Sequence, residues 1–235
     1  MTRWRSAVLI ASLVAVSFIS WAWIVVMARD MYGPMTGASA WMMTPVWDAP
    51  HLVLLWAMWA VMMTAMMLPS AVPMIRLAQH PHAVAAGYVG VWALFSIGAT
   101  ALQWALGRAA VLNPMMEVAS PRTGAALLTI AGIYQWTSLK QACLTTCQSP
   151  MAFLARRWRG GLGGAVRMGA EHGVYCVGCC WALMLLLFAG GVMNLTVIVA
   201  LTLFVAFEKL APLGPWGPRV SGTLLVATAA WMLLR

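Results

Sequence analysis

The sequence predicts an all-α protein, a polytopic bundle of transmembrane helices forming a single domain over residues 1–235. Three observations predict it. Of the 235 residues, 63% are hydrophobic and only 8% are charged. A soluble domain carries about 25% charged residues, so too little polar material is present to cover a water-facing surface. The apolar residues are also gathered into long runs, and about 20 such residues cross a hydrocarbon core of about 30 Å. Finally, the basic residues collect on alternate loops, the pattern that orients helices in a membrane.

The first span is Ala7–Met27, preceded by Arg3 and Arg5. It exceeds the apolar region of about 7–15 residues found in a signal peptide, although cleavage near Ala28 is an alternative. Arg29–Pro50 is a loop broken by Gly33, Pro34 and Pro45. His51–Ile75 is the second span, with a kink expected at Pro69 and Pro73. Ala83–Leu106 is the third, followed by a loop containing Asn113, Pro114, Glu117 and Pro121. Gly124–Leu139 is a shorter fourth span, continued as helix beyond Lys140 and ended by a basic glycine-rich turn from Arg156 to Gly164. Met168–Ala189 is the fifth and Val192–Lys209 the sixth. Pro212, Gly214, Pro215, Gly217 and Pro218 then break the chain before a short seventh, Val220–Leu234. The count is about seven spans, with six as the alternative.

With the N-terminus inside, the inner loops hold 10 of the 14 Lys and Arg residues, and the outer side holds Arg29, Arg108, Arg122 and Arg235. The positive-inside rule therefore predicts N-in/C-out in a bacterial inner membrane. The net charge of +9 is accounted for by those loops. No basic stripe with interleaved aromatics occurs, so nucleic acid is not an expected partner.

All five cysteines lie between Cys143 and Cys180. On helices, residues three and four apart share a face. Lys140, Cys143 and Cys147 then form one stripe, and His172, Cys176 and Cys179 another, with Cys180 one turn beyond Cys176. Joined by a basic turn, the two helices would run antiparallel with their stripes facing. Thiolates and thioethers select copper(I), zinc and iron–sulfur clusters. Lys140 is expected to favour the thiolate form that ligation requires, and His172 to be an alternate ligand or proton acceptor. Glu171 and Glu208 would be costly in lipid, so both are expected to face protein or water.

Methionine is the second signal. Of 19 methionines, 11 lie between Met27 and Met74. Met58, Met62 and Met66 share a helix face, Met63 and Met67 form a parallel row, and Met27, Met31, Met35, Met42 and Met43 lie in or beside the first outer loop. Such rows suit a copper(I) relay, with Met62 and Met66 as candidate ligands, and equally suit adaptable packing. His172, Cys176, Cys180 and Met184 recur every four residues, as a ladder of soft ligands or as one packed face.

The string Lys140-x-x-Cys143-Leu144-x-x-Cys147-x-x-Pro150, followed by Gly169-x-x-His172-Gly173-x-Tyr175-Cys176-x-Gly178-Cys179-Cys180-Trp181, resembles an uncharacterised bacterial family of predicted metal-binding integral membrane proteins. Gly191-x-Met193-Asn194, Glu208-Lys209 and Ala65-Met66-Met67-x-Pro69 also fit, so the resemblance runs from about Trp56 onward. It implies metal binding in a membrane and no particular reaction.

The leading expectation is an inner-membrane protein that binds a soft metal, copper(I) ahead of zinc, in transport, delivery or resistance. Cys143, Cys147, Cys176 and Cys179 would be the ligands, with Cys180 and His172 as alternates. A rival reading is a membrane thiol–disulfide oxidoreductase with Cys143/Cys147 and Cys176/Cys179 as redox pairs. A third is an accessory subunit held by a membrane or periplasmic partner protein. No Gly-x-x-x-x-Gly-Lys phosphate loop occurs.

Overall fold

The computed structural model describes residues 3–33, 35, 38–42, 47–113, 115–211, 214 and 216–234. Pro34, Met43, Pro45, Pro114, Pro212, Pro215 and Arg235 lie outside the described residues. The elements are helices: α1 (Arg3–Met31), α2 (Ala38–Met42), α3 (Ala49–Leu77), α4 (Pro81–Arg108), α5 (Pro121–Gln135), α6 (Ser138–Gln148), α7 (Pro150–Arg157), α8 (Gly161–Met184), α9 (Leu186–Gly190), α10 (Leu195–Leu210) and α11 (Trp216–Leu234). Among the described residues the only extended pairing is an isolated bridge between Leu112 and Val118.

Proline and capping side chains set the helix starts. Proline occupies the first helical turn of α3, α4, α5 and α7, where its missing N–H has no intrahelical partner to lose. The Asp48 carboxylate accepts from the His51 N–H at 2.9 Å and caps α3. Asn194 Oδ1 accepts from the Thr196 and Val197 N–H groups and caps α10. Thr137 caps α6.

Four helical stretches are long and apolar enough to cross a membrane: Ala7–Met31, Ala49–Leu77, Pro81–Arg108 and Gly161–Gly190. The first three match expected spans. The fourth extends the expected Met168–Ala189 toward the N-terminus: the glycine-rich segment read as a turn begins the helix at Gly161, directly after Gly160. The fourth expected span and its continuation are broken at Trp136 and again at Ser149, giving three shorter helices, α5, α6 and α7. Thr137 and Ser149 are the capping positions after which α6 and α7 restart at Ser138 and Pro150.

α3 runs at the centre, through Pro69 and Pro73, with Met58, Met62, Met63, Met66 and Met67 all buried. Proline at position 69 has no N–H, which frees the carbonyl of Ala65 four residues earlier. The Trp21 indole N–H of α1 donates to that carbonyl at 3.1 Å. The proline thus creates the acceptor that fixes α1 against α3. Helix α4 packs on α3 and, more extensively, on α8. The α4–α8 crossing is made by Gly87 and Gly169: a Cβ on Gly169 would collide with the Val84 carbonyl, and one on Gly87 with that of Val166. α6 lies against α8, and α5 packs chiefly on α11.

Candidate metal centre

The two cysteine stripes do meet. Helix α6 carries Cys143 and Cys147, and α8 carries Cys176, Cys179 and Cys180. Gly178 makes the close approach possible: a Cβ there would lie 2.7 Å from Cys143 Sγ. The Tyr134 hydroxyl of α5 donates to the Gly178 carbonyl and holds the same turn of α8. Across the contact, the Cys147 thiol interacts with that of Cys179. Cys176, Cys179 and Cys180 are buried, Cys143 sits at the edge of burial and Cys147 is half-buried. All five are free thiols.

The cation beside the thiols is not the expected one. Lys140 turns away from Cys143 and Cys147 and pairs with Glu208 at 2.6 Å, with both side chains buried. Glu208 also accepts from Gln135 Nε2 at 3.2 Å and Ser221 Oγ at 3.4 Å. The expectation that Glu208 faces protein is met, because four helices (α5, α6, α10 and α11) supply its environment. Glu171, also expected to avoid lipid, pairs with Arg157, Arg159 and Arg167.

Lys209, the residue next to Glu208, takes the place assigned to Lys140. Its Nζ donates to Cys176 Sγ at 2.9 Å, to Ser70 Oγ at 3.3 Å and to Met67 Sδ at 3.6 Å. The Tyr88 hydroxyl lies 2.9 Å from the same Cys176 sulfur. A thioether, a thiol and a buried ammonium therefore converge where α3, α8 and α10 meet. The sequence marked Lys209 as the end of a span and as part of the Glu208-Lys209 pair of the resemblance, not as the partner of the thiols, and gave no role to Tyr88 or Ser70. A lysine beside a glutamate inside an apolar run was the available signal, since charges in such runs rarely lie idle.

The remaining expected residues are placed as follows. Met62 and Met66 are buried on α3, but it is the adjacent Met67 that faces Lys209. His172 is buried between the Tyr88 ring at 5.9 Å and the Phe153 ring at 5.2 Å. Its Nδ1 has no hydrogen-bond partner among the described residues. The Cys179 and Cys180 thiols donate to the Cys176 carbonyl at 3.1 and 3.0 Å. These bonds back to their own helix hold the two sulfurs along α8. Accordingly, among the described residues no three His, Cys, Asp or Glu side chains converge on one metal position. Ligation by Cys179 or Cys180 requires these thiols to release the carbonyl and rotate about χ1.

The profile of a family described as PpoB2, copper chaperone, matches residues 56–232. The chain belongs to the PpoB2 copper-chaperone family. That match spans both cysteine helices, the methionine-rich part of α3 from Trp56 onward, and Lys209. It agrees with the metal-binding resemblance of the cysteine strings and places the chain in a copper-related family. No curated protein and no solved structure matches the chain.

Proposed function

We propose that the chain is a multi-pass membrane protein that binds copper(I) as cargo at the α6–α8 sulfur cluster, for delivery or transport. One observation carries this reading: in a member of a copper-chaperone family the two cysteine helices pack together, with Cys143 against Gly178 and the Met67 thioether and Cys176 thiol sharing one ammonium. Cys143, Cys147, Cys176 and Cys179 are its ligands, drawn from both helices, with Cys180 and His172 as alternates and Met62 and Met66 on the approach along α3. Thioethers and thiolates favour copper(I) over harder ions, and zinc is the competitor that thiolates also accept. Lys209 supplies a positive charge at Cys176 before cargo arrives, and must leave that sulfur when copper binds.

The membrane reading rests on the exterior. Leu94 and Ile97 on α4, Leu203 and Phe207 on α10, and Leu224 and Leu233 on α11 all point outward and are exposed. Lipid is the solvent that such a surface fits. α5, α10 and α11 have 15, 16 and 19 residues, or about 22–28 Å at 1.5 Å per residue. As shorter crossings beside the four long stretches they complete seven spans. The distribution of Lys and Arg supports N-in/C-out in a bacterial inner membrane.

The test is copper bound by the anaerobically purified full chain, beside a Cys143→Ser/Cys176→Ser variant. Copper that is retained by the wild type and reduced in the variant supports the reading. Equal copper in both rules out these thiols as ligands.

A further inference from the structure

A second feature lies at the other end of α3. His51 is 1% exposed, and neither ring nitrogen has a hydrogen-bond partner among the described residues. An imidazole always carries at least one nitrogen acceptor or donor that water would satisfy, and leaving it bare inside a protein is costly. The ring is stacked on Trp47 at 5.3 Å with the planes 13° apart, and Trp41 tilts against it at 6.3 Å. Trp47 is in turn seated on Gly107 of α4, where a Cβ would lie 2.8 Å from the indole. The aromatic enclosure is therefore built by packing from three helices and the segment before α3.

Soft donors surround this end of the bundle. On α3 itself Met58 shares the His51 stripe but sits seven residues further on, about 10 Å along the axis, too far to share one ion with it. The Trp21–Ala65 hydrogen bond sets the register of α1 against α3. Ten residues further along α1 and ten back along α3, Met31 is level with Leu55, one turn from His51. Met42, the neighbour of Trp41 on α2, is buried as well, as are Met31 and Met58. Among the described residues no cationic or acidic side chain is bonded to the imidazole; the Asp48 carboxylate binds the His51 backbone N–H instead. The donors at this end are thus neutral: one imidazole nitrogen, thioethers, and indole faces that attract cations.

We propose that His51, with Met31 and Met42, forms a second binding site for a monovalent soft cation, copper(I) or its redox-inert stand-in silver(I). A neutral, soft donor set keeps the bound charge at that of the ion and selects copper(I) over harder divalent ions. His51 and Met67 are sixteen residues apart on α3, which at 1.5 Å per residue is about 24 Å. The second site is therefore separate from the cysteine cluster and binds independently of it. The inference shares with the proposed function only the choice of ion.

The experiment titrates the full chain anaerobically with copper(I) against a chromogenic copper(I) chelator, and repeats it with silver(I). It compares wild type, His51→Leu, Met31→Leu/Met42→Leu, and the Cys143→Ser/Cys176→Ser background with and without His51→Leu. His51→Leu is expected to bind one equivalent fewer than wild type. In the cysteine-deficient background the remaining copper should show nitrogen and thioether ligands by X-ray absorption, and His51→Leu should abolish it. The Met→Leu pair conserves volume, so it stays informative if His51→Leu misfolds, and should weaken this site by at least about tenfold, or ~1.4 kcal/mol. Unchanged stoichiometry and affinity in both the His51 and the methionine variants overturns the proposal. Unchanged copper in the cysteine variant alone instead overturns the thiol cluster and leaves this site standing.

Discussion

Replacing Lys140 with methionine tests the most costly contact in the fold. The Lys140 ammonium lies 2.6 Å from Glu208 Oε2, with side-chain exposures of 0% and 4%. The substitution keeps a long apolar stem and removes only the charge. Glu208 then retains Gln135 Nε2 at 3.2 Å and Ser221 Oγ at 3.4 Å as neutral donors. Two such hydrogen bonds do not replace an ion pair, and breaking a buried pair from one side costs about 3–5 kcal/mol. That is roughly a hundredfold to a few thousandfold in the unfolding equilibrium. The second substitution, Glu208→Gln, removes the orphaned charge and preserves an acceptor for Gln135. The double variant is therefore expected to recover most of the loss, because replacing both members of a buried pair is often close to neutral. Equilibrium unfolding of the purified chain in mixed micelles reads both effects. A Lys140→Met variant within about 1 kcal/mol of wild type, the worth of an exposed pair, would refute the claim that this contact is buried and paired.

Two further substitutions probe the packing that forms the thiol cluster. Gly169→Ala places a Cβ against the Val84 backbone carbonyl, which cannot rotate away; a loss of about 1–3 kcal/mol is expected from overpacking, read as a lowered unfolding midpoint, whereas unchanged stability would mean that α4 and α8 are further apart than described. Gly178→Ala puts a methyl 2.7 Å from Cys143 Sγ and should weaken copper(I) binding by about tenfold (~1.4 kcal/mol) while leaving all five thiols titratable, so unchanged affinity would remove Cys143 from the ligand set.

Several features are legible in the sequence alone. The apolar runs from Ala7, His51 and Ala83 became the three long helices α1, α3 and α4, because length and hydropathy are local properties of the chain. The cysteine spacing placed Cys143 and Cys147 on one helix and Cys176, Cys179 and Cys180 on another, and these helices do pack together. The breaks at Trp136 and Ser149 were not legible. Thr137 and Ser138 carry no glycine or proline, and the capping role of Thr137 depends on a hydrogen bond to Lys140 N at 3.3 Å. The glycine-rich start of α8 reads as a turn because glycine favours turns in isolation, whereas in the fold it is helix from Gly161.

The identity of the cation beside Cys176 shows most clearly where local reading ends. Lys140 shares a stripe with Cys143 and Cys147, so spacing alone assigned it to the thiols. In the fold, Glu208 on α10 lies within reach of Lys140, and the carboxylate is the stronger partner for a buried ammonium. That pairing leaves the adjacent Lys209 to reach across to Cys176, Ser70 and Met67. The same holds for His51, an unremarked first residue of an apolar run until Trp41 and Trp47 enclose it. By itself the sequence determined the helices, their apolar character and the soft-ligand inventory, since these depend on composition and on neighbours a turn apart. Only the tertiary structure decided which charge meets which sulfur, because a buried charge takes the best partner brought to it by other helices, however distant in the chain.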